Sequence, residues 1–250
     1  MSLSVVIITR NEAEAIRDCL ESVRFADQVV VLDSASSDGT AGICREYGAE
    51  VFEAGDWPGF GPQKNRAIAR ATGDWVLSLD ADERVTPELR AEIGRALAAP
   101  EADAYRMPRL SRYLTRYMRH SGWHPDHVTR LFRRGRARFS DDLVHERLMV
   151  EGTVGTMASP LLHEAFTSAE EVLDKVNRYS SAGAQMALAR GRRSSLPGAV
   201  LRGAWTFFRT YFLKAGFLDG REGFMLAVSN AEGTYYRHLK LLLLLGERRK

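Results

Sequence analysis

Asp80 and Asp82 stand two residues apart, directly after the apolar run Trp75 to Leu79. On a turn, two carboxylates at that spacing can both face a hard divalent cation. Mg2+ and Mn2+ favour oxygen ligands at about 2.1 Å and keep coordination positions for phosphate oxygens. An ion bridging a diphosphate neutralises charge as the leaving group departs, the Lewis-acid role of a metal. An isolated Asp-x-Asp is more often a solvated turn that caps a helix. Here an apolar run precedes it. Two further polar clusters, Thr9 to Glu12 and Asp33 to Asp38, follow apolar runs of their own.

Those clusters need a scaffold that brings them together. Ser4 to Thr9 is short, apolar and β-branched, the pattern of a buried strand. Asn11 is expected to cap the following helix, with Glu14 at the capping-box position. Ile16, Cys19, Leu20 and Val23 then follow at helical spacing. Gln28 to Leu32 is a second strand, and Asp38 in the loop after it can cap a second helix. Val51 to Glu53 makes a third strand. A Gly/Pro-rich loop, Gly55 to Pro62, leads to a helix around Gln63 to Ala71, and Trp75 to Leu79 is the fourth strand. Thr86-Pro87 opens another helix with proline at its first position. Strands alternating with helices predict right-handed βαβ units and a parallel sheet. Such sheets bind ligands beyond the C-terminal ends of their strands, where all three polar clusters fall.

Four ordered segments resemble family 2 glycosyltransferases. They are Thr9-Arg10-Asn11-Glu12, Asp33-Ser34-x-Ser36-x-Asp38-Gly39-Thr40, Lys64-Asn65-Arg66-Ala67 and Gly73-Asp74-Trp75-x-Leu77-x-Leu79-Asp80-Ala81-Asp82. The resemblance implies the GT-A fold: α/β, Rossmann-like, a nucleotide-diphospho-sugar transferase with a mainly parallel sheet and a C-terminal helical extension. It implies an inverting, metal-dependent hexosyltransferase that uses Mn2+ or Mg2+ and a UDP-sugar as donor. Thr9, Asn11 and Glu12 then fall at the nucleotide, and Asp33 at the base or its ribose. Lys64 and Asn65 match the short motif beside the nucleotide pocket. Asp80 lies on the ribose or metal side, and Asp82 is the principal metal ligand. The bland alternatives are turn formation and helix capping for Asp33 and Asp38, and a helix-terminus role for Asn65. Val128 to Arg134, Val144-His145-Glu146 and Gly216 to Gly220 resemble the subgroup that adds sugars to the lipopolysaccharide inner core. That resemblance implies a saccharide or lipid-linked saccharide acceptor.

An inverting transferase needs a carboxylate to remove the acceptor hydroxyl's proton. Glu146 is the candidate, with Asp141 and Asp142 as alternatives. The commoner Glu-Asp pair of the family is absent there, and a surface ion pair with Arg147 is the bland reading of Glu146. His145 can orient the base or bind phosphate. Tyr105 to Arg138 holds ten arginines and one acidic residue, Asp126, a composition suited to gripping an anionic acceptor. Trp123, His124, Arg130 and His145 are the candidate acceptor contacts.

The 250 residues accommodate a catalytic domain over 1–167, divided into a nucleotide-sugar half, 1–103, and an acceptor half, 104–167. A helical extension follows over 168–250. Cys19 and Cys44 are too few for a disulfide framework and are expected to be reduced, buried and structural. No basic segment precedes the first strand and no apolar run approaches a membrane span, so a cytoplasmic protein is expected. From Ala189 to Lys250 the sequence carries twelve Lys/Arg and four Asp/Glu. A basic tail among Trp205, Phe207, Phe208, Tyr211, Phe212, Phe217 and Phe224 suits peripheral contact with the inner membrane. A helix–helix core is the alternative.

Other classes fare worse. A dinucleotide-binding dehydrogenase needs Gly-x-Gly-x-x-Gly after the first strand, where this chain has Thr9-Arg10-Asn11-Glu12. A nucleotidyltransferase usually places a glycine-rich basic loop there. A non-catalytic protein binding nucleic acid or another anionic ligand leaves the acidic strand ends unexplained, since they repel phosphate unless metal-bound. No nucleic-acid partner is expected.

Overall fold

Every residue of β1 (Leu3–Thr9) is buried, as its β-branched run requires when neighbours flank it on both sides. In the computed structural model, which describes residues 1–140 and 147–247, β1 pairs in parallel with β2 (Gln28–Asp33) and, on its other side, with β4 (Trp75–Asp80). β3 (Glu50–Glu53) adds in parallel to β2.

Alternation along β1 splits its side chains between two faces. Val5 and Ile7 join Ile16, Cys19 and Leu20 of α1 (Ile16–Ser22) and Leu89 and Ile93 of α4 (Pro87–Ala98). Val6 and Ile8 join Ala67 of α3 (Phe60–Ile68). α2 (Thr40–Glu46) follows β2. Helices thus cover both faces of the parallel half.

The other half of the sheet is mainly antiparallel, with β11 (Val154–Thr156) the parallel exception on β6 (Ala104–Tyr113). β8 (Asp126–Arg133) pairs with β4 and with β6 (Ala104–Tyr113). The order is β3-β2-β1-β4-β8-β6-β12-β5, where β5 is Glu83–Val85 and β12 is Leu161–Phe166. β7 (Arg116–Tyr117) and β11 (Val154–Thr156) add to β6. β9 (Ala137–Phe139) and β10 (Leu148–Val150) form a separate pair.

Thr86 caps α4 as expected, accepting the Leu89 N–H at 3.1 Å. Asn11 does not cap α1. Its backbone is left-handed, φ 57°, a region that asparagine tolerates. Its N–H donates to Ser36 Oγ at 2.8 Å and its Oδ1 accepts the Ser37 N–H at 2.9 Å. α1 starts instead at Ile16, where the Glu12 carbonyl accepts the Ala15 and Ile16 N–H groups. Asp38 does not take the cap position of α2, which falls to Gly39 without a side-chain cap bond; it bridges the two loops instead. Its Oδ1 accepts the Thr40 N–H at 3.1 Å and its Oδ2 the Ala13 N–H at 3.0 Å.

The chain forms two compact units. The first is Met1–Arg109 with Asp126–Glu164; the second is Leu110–Pro125 with Ala165–Lys250. Leu110–Pro125 therefore groups with the helices, whereas the expected division lay at 167. In the second unit, α5 (Ala169–Ala189) and α6 (Leu196–Phe208) pack on α7 (Gly220–Glu247). A π-helical turn, Arg209–Leu213, and a 3-10 turn, Gly216–Asp219, connect α6 to α7. Asp219 is fully buried. It accepts the N–H groups of Arg119 at 3.1 Å and His120 at 3.0 Å and the Ser121 hydroxyl at 3.1 Å. The Gly216 to Gly220 segment thereby fastens residues 119–121 to the helices.

Candidate active site

The parallel register sets the geometry. Thr9 is level with Asp33, and Ile8 with Asp80. Asp33 and Asp80 end strands on either side of β1, on the order of 10 Å apart at two strand spacings. The first two polar clusters and the Asp-x-Asp therefore share one sheet edge.

Asp33 is 1% exposed. Its Oδ1 accepts the Thr9 hydroxyl at 2.9 Å and the Ser36 hydroxyl at 2.6 Å, and its Oδ2 accepts the Ser36 N–H at 2.9 Å. Gln63, also buried, donates to Ser34 Oγ at 2.9 Å. Asn11 and Asp38 knit the same two loops, and the Glu12 N–H donates to Thr40 Oγ1 at 2.9 Å. The first two strand ends thus carry a rigid, mutually bonded rim.

Asp80 sits in an ion network. Lys64 Nζ lies 2.9 Å from its Oδ1, and Arg130 Nη2 is 2.5 Å from its Oδ2. The same Arg130 nitrogen reaches Glu83 Oε1 at 2.6 Å, and Glu83 Oε2 accepts the Asp80 N–H at 3.0 Å. Lys64, Arg130 and Glu83 are buried. Burial works to raise the Asp80 pKa, but the Arg130 guanidinium and the Lys64 ammonium outweigh it and hold the carboxyl well below the usual range. Glu83 moves upward: burial and the neighbouring Asp80 charge exceed what Arg130 returns. Such a network gains little net stability, because desolvation offsets attraction. Its consequence is an ionised Asp80 in a fixed position.

Asp82 faces a different partner. Its Oδ2 lies 3.2 Å from His163 Nε2, and both side chains are partly open, 33% and 17% exposed. β5 and β12 pair antiparallel with Glu83 level with His163. The Glu164 N–H donates to the Asp82 carbonyl at 2.9 Å and fixes the turn. The two carboxylates, expected to face one cation, are thus engaged separately. Asp80 ends β4 among the cations, and Asp82 occupies the turn that aims at β12.

Among the described residues, no three His, Cys, Asp or Glu side chains converge as a complete metal cage. The Asp82–His163 pair nonetheless fits a divalent ion shared with phosphate. Two donors at right angles on an ion with bonds of about 2.1 Å lie about 3.0 Å apart, close to the observed 3.2 Å. A mixed oxygen and nitrogen set suits Mn2+ better than Mg2+.

Lys64 and Asn65 serve different ends. Lys64 pairs with Asp80 and lies 5.0 Å from the centre of the Phe139 ring. Asn65 mimics a strand: its Nδ2 donates to the Phe139 carbonyl at 2.9 Å and its Oδ1 accepts the Phe139 N–H at 2.8 Å. It fastens β9 to α3.

Of the acceptor candidates, Arg130 belongs to the Asp80 cluster. Trp123 and His124 lie in the second unit, where Trp123 stacks on Phe166 at 6.1 Å. His145, with the base candidates Glu146, Asp141 and Asp142, lies outside the described residues. Sequence reasoning missed His163 and gave Glu83 no role. Glu83 follows the Asp-x-Asp directly, and its adjacency was the available signal. His163 is a lone histidine, and only strand register brings it to Asp82.

Residues 4–152 match the family model described as Glycosyl transferase family 2. The chain is 32% identical to lipopolysaccharide core biosynthesis glycosyltransferase LpsC of Rhizobium meliloti (strain 1021), over 95% of this chain and 93% of that protein. It is 29% identical to an uncharacterized glycosyltransferase of Rickettsia felis, over 96% and 89%. Two solved structures share the fold. One is S. aureus TarS 1-349 in complex with UDP-GlcNAc, with TM-score 0.52, 14% identity and coverage of 98% and 92%. The other is the mannosyltransferase PcManGT from Pyrobaculum calidifontis in complex with GDP-Man and Mn2+, with TM-score 0.50, 18% identity and coverage of 99% and 79%. The architecture is the α/β GT-A fold, and the chain belongs to glycosyltransferase family 2.

Proposed function

We propose that this enzyme moves a sugar from a nucleotide diphosphate sugar to a saccharide of the lipopolysaccharide core, with inversion, and that it depends on a divalent metal. The Asp82–His163 pair at the sheet edge carries the reading, because it supplies metal donors beside the strand ends of Thr9, Asp33 and Asp80. The UDP-GlcNAc complex of TarS and the GDP-Man and Mn2+ complex of PcManGT support the donor class and the metal. The similarity to LpsC supports the acceptor. UDP is our choice of nucleotide.

Asp82 and His163 would hold Mn2+ or Mg2+, which when bound supplies Lewis-acid neutralisation of the donor diphosphate. Asp80, kept ionised by Lys64 and Arg130, accepts hydrogen bonds from ribose hydroxyls. Thr9, Asn11, Glu12 and Asp33 shape the nucleoside end of the site, and Lys64 and Asn65 flank it. Glu146 takes the proton of the acceptor hydroxyl, with Asp141 or Asp142 as substitutes. Trp123, His124 and His145 serve the acceptor, and Arg130 serves the donor side instead. A lipid-linked form of that saccharide acceptor would put the enzyme in the cytoplasm, at the inner face of the inner membrane.

A thermal-shift screen of UDP-, GDP-, ADP- and CMP-sugars, with and without Mn2+, tests the donor and the metal. Stabilisation by a UDP-sugar only when Mn2+ is present is expected. Equal stabilisation without metal sinks the metal role, and a response to another nucleotide alone reassigns the donor. Glu146→Gln should abolish transfer while keeping donor binding. Retained transfer moves the base to Asp141 or Asp142.

A further inference from the structure

α6 buries its small residues and exposes its large ones. Ala199, Gly203 and, in the π-helical turn, Thr210 are buried. Thr206 Oγ1 meets Thr234 Oγ1 of α7 at 3.2 Å. A Cβ at Gly203 would lie 3.3 Å from the Ala231 carbonyl, so close approach to α7 demands small side chains on this stripe. Two positions further along, Leu201, Trp205, Phe208 and Phe212 repeat the same spacing. Two residues are about 200° of helical turn, so these four form the opposite stripe. They are 69%, 56%, 43% and 50% exposed. Trp205 stacks on Phe208 with ring centres 5.8 Å apart, and Phe208 meets Phe212 at 5.2 Å. Leu213 and Phe217 continue the exposed apolar surface. An ordinary surface helix of a soluble protein turns its large apolar face inward, and a contiguous exposed patch of this kind marks an interaction surface.

The chain segment that carries the patch has charge of one sign. From Lys175 to Leu218 the sequence contains eight Lys/Arg and neither Asp nor Glu. Arg202 and Arg209 are exposed beside the aromatic stripe, and Arg190, Arg192 and Arg193 are exposed just ahead of α6. We propose that this face docks on an anionic lipid bilayer, with the aromatic stripe entering the headgroup boundary and the arginines at the phosphates. No helix among the described residues is long and apolar enough to cross a membrane, so α6 lies in the interface. A second copy of the chain is a poor occupant, because pairing through this face would set two acid-free cationic runs against each other. The proposal identifies the surface behind the membrane placement read from the acceptor. It stands apart from the transfer chemistry, since it concerns binding without donor or acceptor.

The test is sedimentation of the full chain with phosphatidylcholine vesicles, with and without phosphatidylglycerol, in the absence of sugar nucleotide. The protein should partition onto the anionic vesicles, with a blue shift in tryptophan emission. The triple change Trp205→Ser, Phe208→Ser, Phe212→Ser should lower partitioning at least about tenfold. Arg202→Glu with Arg209→Glu should lower it at least about thirtyfold, since each basic residue near the surface contributes about fivefold and each glutamate adds repulsion. All five side chains are exposed, so thermal midpoints should stay near that of the parent. Equal partitioning onto neutral vesicles overturns the proposal. So does parent-like binding by both variants. A dimer in light scattering that the triple change makes monomeric, with vesicle binding unaltered, assigns the face to a second copy instead. Should the triple variant misfold, the arginine pair decides, and its undiminished binding overturns the proposal.

Discussion

Asp82 Oδ2 and His163 Nε2 face each other at 3.2 Å, the one from the turn after β4 and the other from β12. In the proposed metal site, either donor removed alone would leave the other too weak to hold the ion against water. Asp82→Ala and His163→Ala should each weaken Mn2+ binding and lower kcat/KM at least about a hundredfold, ~2.7 kcal/mol of transition-state stabilisation. Both side chains are partly exposed, so the fold should survive. Mn2+ titration followed by electron paramagnetic resonance, beside steady-state kinetics, separates the outcomes. Normal Mn2+ affinity in both variants would refute the pair as the metal site.

Arg130 supports Asp80 and Glu83 through one nitrogen, at 2.5 Å and 2.6 Å. Removing it takes the shortest cationic contact from both carboxylates, leaving Asp80 to Lys64 at 2.9 Å and Glu83 to Arg109 at 3.7 Å. Arg130→Met should therefore cost about 3–5 kcal/mol, the usual penalty for breaking a buried pair from one side. Adding Glu83→Gln should recover part of the loss by neutralising the deeper carboxylate. Urea unfolding at neutral pH measures both. A single variant as stable as the parent would mean that the network does not hold the β4–β5 turn.

The parallel half of the fold was legible because each strand is an apolar run that ends in a polar cluster, and register alone then aligned Thr9, Asp33 and Asp80. Asn11 misled because a capping asparagine and a left-handed loop asparagine use the same side chain. Its φ of 57° depends on Ser36 and Ser37 across the rim. His163 was illegible: its meeting with Asp82 is made by antiparallel pairing of distant segments, which no local spacing records. Leu110–Pro125 sides with the helices because buried Asp219 gathers the Arg119, His120 and Ser121 donors, again at long range. The aromatic tail left core and surface both open. The tail divides: Gly203's tight contact with α7 turns Trp205, Phe208 and Phe212 outward, while half-buried Phe207 and Tyr211 pack with Phe224.

Cys19 and Cys44 are free and buried. Burial pushes the Cys44 thiol up to about 11, with the Asp33 charge adding to it. Burial also raises Cys19, followed by the charge of Glu83. At pH 8 the Cys44 thiolate fraction is about one in a thousand, and alkylating agents need the thiolate. Iodoacetamide should leave both residues unmodified in the native protein and label both in denaturant, as read by intact mass. Rapid native labelling would contradict the closed packing of α1 and α2.

Glu222 gives the second unit a defined acid response. Its Oε1 accepts the Thr115 hydroxyl at 2.6 Å and Arg221 Nε at 2.7 Å. The Thr115 bond and then the Arg221 bond hold its pKa down to about 2, against an ordinary 4.5. A depressed carboxyl stabilises the fold above its unfolded pKa. That contribution is lost as pH falls from about 4.5 toward 2. Arg221 is 74% exposed, so water screens the ion pair, and the Thr115 bond supplies most of an effect of about 1–2 kcal/mol. Glu222→Gln keeps an acceptor oxygen for Thr115 but removes the charge. The variant keeps the Thr115 bond, so it should be less stable than the parent at pH 7 by less than that amount, with the gap narrowing as pH falls from about 4.5 toward 2. Urea midpoints at pH 7, 5 and 3 measure it. A gap that stays constant across that range would mean the side chain acts through packing and not through its charge.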